Sequence, residues 1–347
     1  MPPPVRVLIV DDSITMRALF QGVLDEAPGI TVVDHAGSAA EARKLIASEQ
    51  PDVVTLDVEM PGTSGLELLR EIMADKPMPI VMLSTLTQKG SSATLEALEL
   101  GAFECFPKPK AATMEEFRNV GPRLAKIIKA AAAGHGAKTK HESNETLVPA
   151  DYAPPEGVLV LIGNTGSVDM VTSLVNRLPA NTPPTILHMG DSLGFADALV
   201  DRLNKSAHAT VRAAYDGQLL ENGNVYLIRD AHKHVVVDRS AGAVIRLVDG
   251  EPLAGHRPSA NLLLQSLAST MGGHVAAGFL SGVGDDGVLA AARLKAAGGC
   301  VVSVRPDQAK ASELPQTAQT LGNATALDLT DLGRALLLHG ASSQMAA

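Results

Sequence analysis

Asp52-Val-Val-Thr-Leu-Asp57-Val-Glu-Met60-Pro-Gly62 is the stretch that decides the fold. A short β-branched apolar run ends in one carboxylate, and a Pro-Gly turn follows at once. That pattern predicts a buried parallel strand delivering Asp57 to the carboxyl edge of an α/β sheet, where such folds place their chemistry. Alone, an aspartate there is better read as a cap for the next helix. Three further runs of the same form change the balance. Arg6-Val-Leu-Ile-Val10 leads into Asp11-Asp12-Ser13, Ile80-Val-Met-Leu-Ser84 ends in a hydroxyl, and Phe103-Glu-Cys-Phe-Pro-Lys108 ends in an amine.

Three acids, a hydroxyl and an amine at strand ends of one sheet make a phosphoryl-transfer site. Asp11, Asp12 and Asp57 offer the hard oxygens that Mg2+ requires, and Asp57 can serve as nucleophile to form an acyl phosphate. Lys108 and the Ser84 hydroxyl would offset the added charge. With these residues in this order, roughly the first 125 positions resemble the receiver domain of two-component response regulators. The resemblance implies a five-stranded parallel, flavodoxin-like domain phosphorylated on Asp57 by a histidine kinase. It also implies phosphate contacts from Ser84 and Lys108 and a Mg2+ site formed by Asp11, Asp12, Asp57 and Glu59. Phosphorylation would then shift a two-state equilibrium in the domain. One departure stands out, because the aromatic switch position three residues before the lysine holds Cys105.

The chain has 347 residues, 46% of them apolar, which suffices for two domains with full cores. Net charge is −9 with no block of Lys and Arg, which argues against a nucleic-acid-binding output domain. The two cysteines, Cys105 and Cys300, lie in apolar runs and read as core thiols in a reducing compartment. Met1-Pro-Pro-Pro leads straight into a strand and no apolar run is long enough to span a bilayer, so the expectation is a cytoplasmic protein without direct membrane insertion.

Alternating strands and helices predict a receiver over residues 1–130, and the pattern lapses over 131–156, which reads as a linker. A second domain follows over 157–347, α/β and mostly parallel with a β-rich insertion around 209–250. Three of its strand-to-helix junctions carry polar groups: Gly163-Asn-Thr-Gly-Ser167, the strand end at His188, and Gly282-Val-Gly-Asp-Asp286-Gly287. The first lacks the third glycine of a dinucleotide fingerprint and is not a P-loop. Taken singly, His188 reads as a packed histidine and Asp286 as a helix cap. A hydroxyl, a histidine and an aspartate at three strand ends also suit a hydrolytic triad. Asp230-Ala-His232-Lys-His234 has metal-like spacing but no third ligand, which argues against a metal there.

These junctions, with Asp216-Gly217 and His256-Arg-Pro-Ser259, make nearly the whole chain similar to the chemotaxis response-regulator protein-glutamate methylesterases. That family joins a receiver to an esterase domain that removes methyl esters from receptor glutamates; some members deamidate receptor glutamines. The resemblance implies methyl-accepting receptors as substrates, His188 as general base and Asp286 as its orienting acid, with phosphorylation relieving inhibition of the esterase. The nucleophile follows less simply, because Ile-Gly-Ala-Ser-Thr-Gly-Gly in the family faces Ile162-Gly163-Asn164-Thr165-Gly166-Ser167 here. Counting from the strand puts Thr165 on the serine. Counting back from the helix keeps the apolar stripe in phase and puts Asn164 there, an amide that cannot form an acyl-enzyme. Thr165 is then the fallback hydroxyl and Ser167 a distant third. Gly190 and Val283 also depart from the family's proline and methionine. Two readings stay open: a phosphorylation-activated esterase, and a phosphorylation-dependent binding regulator without turnover.

Overall fold

The structure is a computed structural model describing residues 3–84, 88–109, 111–134, 146–149, 151–190, 195–239 and 242–339. Its contacts divide the chain into two units, 1–136 and 137–347.

The first unit alternates β1 (Val5–Val10), α1 (Ile14–Asp25), β2 (Ile30–Ala36), α2 (Ala39–Glu49), β3 (Val53–Asp57), α3 (Gly65–Asp75), β4 (Ile80–Ser84), α4 (Gln88–Glu99), β5 (Glu104–Pro107) and α5 (Met114–Ala133). All strand pairs are parallel, in the order β2-β1-β3-β4-β5. Every residue of β3 is buried, as an unalternating apolar run requires when helices cover both faces. Ser13, Ser38, Ser64 and Thr113 each cap the helix they precede through their hydroxyls. Strand order reverses between β1 and β3, so a crevice opens beyond their carboxyl ends. Gly65 belongs to that edge, since a Cβ there would meet the Asp57 carbonyl oxygen at 1.8 Å.

The second unit contains β6 (Val158–Ile162), α6 (Val168–Arg177), β7 (Thr185–His188), α7 (Ala196–Leu203), β8 (Thr210–Ala213), β9 (Asn224–Leu227), β10 (His234–Asp238), β11 (Val244–Val248), α8 (Ala260–Met271), β12 (Val275–Phe279), α9 (Val288–Ala296), β13 (Cys300–Val304), α10 (Glu313–Thr320), β14 (Thr325–Leu327) and α11 (Leu329–Leu338). Seven strands form a parallel sheet, β14-β13-β12-β6-β7-β9-β8, and β10 and β11 pair as a separate antiparallel hairpin. Along β6, Leu159 and Leu161 face Leu174 of α6 and Leu336 of α11, while Val158, Val160 and Ile162 join Leu263, Leu264 and Leu267 of α8 in the opposite core. Period-two alternation between two apolar layers is why the strand reads as one unbroken hydrophobic run. Here the order reverses between β6 and β12, which places the crevice between the Gly163–Ser167 and Gly282–Gly287 loops.

The expected linker covers 131–156. Helix α5 continues to Ala133, and positions 135–145 and 150 lie outside the described residues. Beyond them Leu147 and Val148 are buried, and the Tyr152 hydroxyl donates to the Leu337 carbonyl at 2.8 Å, so this stretch packs as part of the second unit. Cys105 is buried as expected. Cys300 is only half-buried, because it opens its strand instead of crossing the core. Among the described residues, no helix is long and apolar enough to cross a membrane.

Candidate functional sites

At the receiver crevice, β1 and β3 bring Asp11, Asp12 and Asp57 together, with one oxygen of each within 4.8 Å of the others. Lys108, carried past the end of β5, sits between two of them: its Nζ lies 2.8 Å from Asp11 Oδ2 and 2.8 Å from Asp57 Oδ1. Arg17 Nη1 donates to the main-chain carbonyls of Asp11 and Asp12 at 2.6 and 3.1 Å, which fixes the loop carrying the acids. The Asp11 carboxylate also accepts the Ser13 amide at 2.9 Å. Burial drives the Asp57 carboxyl up to about 6, against the pull of Lys108 and with a further push from Asp11.

Ser84 lies at the end of β4, where its carbonyl accepts the Lys108 amide and its hydroxyl meets Thr94 Oγ1 of α4 at 3.3 Å. Glu59, expected as a further metal ligand, follows Asp57 by two residues. It is exposed, its carboxylate is not one of the converging oxygens, and its contribution is an amide donated to Asp57 Oδ1 at 3.3 Å. Buried Cys105 donates its thiol to the Thr94 carbonyl at 3.5 Å, and burial holds that thiol well above its ordinary pKa. The acid cluster fits a Mg2+ ion. Its three carboxylates converge, and the Lys108 ammonium already bridges two of them as a cation would.

At the second crevice, β6 and β7 pair Ile162 with His188, and the Gly163 amide donates to the His188 carbonyl at 3.0 Å. His188 is 2% exposed, and its Nδ1 accepts a long 3.4 Å bond from the Gly190 amide. Asn164 spans the switch point. Its Oδ1 accepts the amides of Val283 at 2.8 Å and Thr165 at 2.6 Å, and its Nδ2 donates to the Val283 carbonyl at 3.0 Å. Thr165 is buried, and its carbonyl accepts the Ser281 hydroxyl at 2.8 Å. Among the described residues no hydrogen bond joins Thr165 to His188. Ser167 is fully buried and donates to the Asn164 carbonyl at 2.7 Å, which seals the loop internally.

Asp286 stands on the same sheet edge but is engaged elsewhere. Its carboxylate accepts the Ser259 hydroxyl at 2.9 Å, the Ala260 and Asn261 amides at 2.7 and 3.1 Å, and Asn261 Nδ2 at 3.2 Å. Among the described residues its bonds all go to the start of α8 and none to His188. The expected orienting acid is therefore a helix cap in this conformation, held by the orphan amides and positive end of α8. His234 completes the support. It accepts the Ser259 amide at Nδ1, 3.2 Å, and pairs Nε2 with the Glu251 carbonyl at 2.9 Å, so both ring nitrogens are used within the fold.

Sequence reasoning missed Ser281, whose hydroxyl ties Thr165 to the Ala311 amide at 2.9 Å. A hydroxyl just beyond an apolar strand was the available signal, the same one that picked out Ser84. It also missed the ion pair of Lys310 Nζ with Asp169 Oδ2 at 2.6 Å, which sequence separation hides.

An acid cluster at one switch point and a His-bearing crevice at another are the arrangement of a response regulator with an α/β output unit. The sequence profile of the CheB methylesterase matches residues 159–336, and that of the response regulator receiver domain matches 7–117. A protein-glutamate methylesterase/protein-glutamine glutaminase 1 of Rhizobium johnstonii is 36% identical over 347 residues, covering 97% of either chain. Its counterpart in Caulobacter vibrioides is 37% identical over 337 residues, with 96% of this chain and 97% of that one covered. The crystal structure of the Thermotoga maritima CheB methylesterase catalytic domain shares the fold, with a TM-score of 0.50 at 24% identity over 54% of this chain and 98% of that one. The chain belongs to the CheB methylesterase family of chemotaxis response regulators, a family of carboxylic-ester hydrolases.

Proposed function

We propose that this chain is a cytoplasmic, phosphorylation-activated methylesterase acting on glutamate methyl esters of methyl-accepting chemotaxis receptors, with a chemotaxis histidine kinase as phosphodonor. The observation that carries the control step is the Lys108 ammonium bridging Asp11 and Asp57 beside Asp12. Asp57 attacks the donor's phosphorus, the phosphohistidine N–P bond breaks, and an acyl phosphate forms on Oδ. Mg2+ held by Asp11, Asp12 and Asp57 supplies positive charge against the crowded anions when bound. Lys108 and Ser84 meet the new phosphoryl oxygens, and inhibition of the second unit is relieved.

In the second unit the Thr165 hydroxyl adds to the ester carbonyl as His188 takes its proton. Methanol leaves with that proton, and water then frees the glutamate carboxylate and restores threonine. Support comes from the shared sheet edge of Thr165 and His188. That chemistry requires the loop to bring the two into contact. The engaged Asn164 amide favours a second reading, a regulator that binds receptors on phosphorylation without turning them over. Methanol release from methylated receptor membranes, measured with wild type and His188→Ala, separates the two. Release abolished by the substitution supports the esterase, and phosphorylation-dependent binding without release supports the second reading.

A further inference from the structure

The side chain of Asn164 is held as a ligand would be. Its carbonyl oxygen receives two main-chain N–H groups, from Thr165 at 2.6 Å and Val283 at 2.8 Å, contributed by loops on opposite sides of the topological switch point. Two amides converging on one oxygen is the arrangement that stabilises a carbonyl oxygen as it gains negative charge. The amide nitrogen donates to the Val283 carbonyl at 3.0 Å, so acceptor and donor of the carboxamide are matched by the main-chain N–H and C=O of one residue plus a second N–H. The walls are shaped to the same group. A Cβ at Gly282 would sit 2.6 Å from Asn164 Oδ1, and one at Gly190 would sit 3.0 Å from Asn164 Cβ. Gly190 also has φ +60°, which excludes proline there.

We infer that the Thr165 and Val283 amides with the Val283 carbonyl form a binding site for a primary carboxamide, and that Asn164 is its resident occupant, a pseudosubstrate carried by the chain itself. A serine hydroxyl ends one bond short of the amide oxygen, so it would leave the two N–H groups open to an incoming acyl group. Asparagine fills them. A primary amide satisfies all three groups, whereas a methyl ester satisfies the two donors and leaves the Val283 carbonyl without a proton. The emptied site therefore prefers the carboxamide of a glutamine side chain to a glutamate methyl ester. This deepens the esterase reading and rests on it for the identity of the site. Turnover in the native chain requires the Asn164 amide to leave its seat.

The test uses the full-length chain, 15N-labelled, as wild type, Asn164→Gly and Asn164→Ala, the alanine variant serving if glycine loosens the loop. Exchange of the Val283 amide should accelerate at least about tenfold in the variants, since the bond that protects it is gone. Acetamide should then shift the Thr165 and Val283 resonances of the variants towards their wild-type positions, while leaving wild type unmoved. It should bind about tenfold more tightly than methyl acetate, the worth of one extra hydrogen bond. Unchanged exchange, acetamide shifts equal in wild type and variants, or equal affinity for the ester each overturns the inference. Methanol release by Asn164→Ser from methylated receptors is scored separately. Acetamide binding without any release counts against the esterase reading alone, and release without acetamide binding counts against the carboxamide site alone.

Discussion

Asp57 carries two opposed loads. Burial resists its charge, and Lys108 favours it. Burial prevails, so the folded carboxyl titrates at about 6, above the unfolded value near 4. A raised folded pKa means that this residue's contribution is complete below about pH 4 and is lost as pH rises through about 6. In metal-free buffer, urea unfolding should therefore show wild type losing up to about 3 kcal/mol relative to Asp57→Asn between pH 4 and 7.5. A flat difference across that range would remove burial as the dominant influence on Asp57. Asp286 calls for a different test. It holds the start of α8 through four hydrogen bonds, so Asp286→Ala should lower stability by about 3 kcal/mol in thermal or urea unfolding. A loss of activity with unchanged stability would instead mark a role limited to orienting His188. The sequence carried the identity and placement of Asp11, Asp12, Asp57 and Lys108, because apolar strand patterns fix where a strand ends. It did not carry the partner of Asp286, because a carboxylate in a turn can bond any amide that folding brings to it.

Among the elements, the loops after β6 and β12 depend on close approach across the switch point. Gly282→Ala would place a Cβ 2.6 Å from Asn164 Oδ1 and 2.7 Å from Leu314 Cδ2. It should cost about 2 kcal/mol, and Asn164→Ala in the same chain should recover part of that loss because one of the two clashes disappears. Additive losses in the double-mutant cycle would mean that the two residues do not share a site. Counting the loop back from α6 sets Asn164 at the family's nucleophile position, and Met170, Val171, Leu174 and Val175 form the buried stripe of that helix. What the amide bonds to was not legible, because Val283 contributes only its main chain, and a peptide unit has no signature in a sequence. On the receiver side, the Ser84 hydroxyl bonds that of Thr94 of α4, whose carbonyl accepts the Cys105 thiol. Thr94→Val should therefore alter the response of α4 to phosphorylation while leaving uptake of phosphate at Asp57 within about twofold, measured by amide shifts and by acetyl phosphate consumption. Abolished uptake would place Thr94 in the transfer site itself.

For the whole molecule, both units repeat one physical device. Each places its polar groups where strand order reverses, at β1/β3 in one and β6/β12 in the other. Alternation of strand and helix made both sheets readable, whereas the stretch 209–250, read as a β-rich insertion, gives β8 and β9 to the main parallel sheet and only β10 and β11 to a separate hairpin. The packing of Leu147 and Tyr152 on the second unit was hidden, since prolines and polar residues nearby gave that stretch the composition of a linker. The central claim joins the two crevices: phosphate at Asp57 governs hydrolysis in the second unit. Methanol release from methylated receptor membranes, timed with and without acetyl phosphate and Mg2+, addresses it most directly. Release that rises with the phosphodonor in wild type, and does not rise in Asp57→Ala, is the predicted result; release that is absent, or equal with and without the donor, would contradict it.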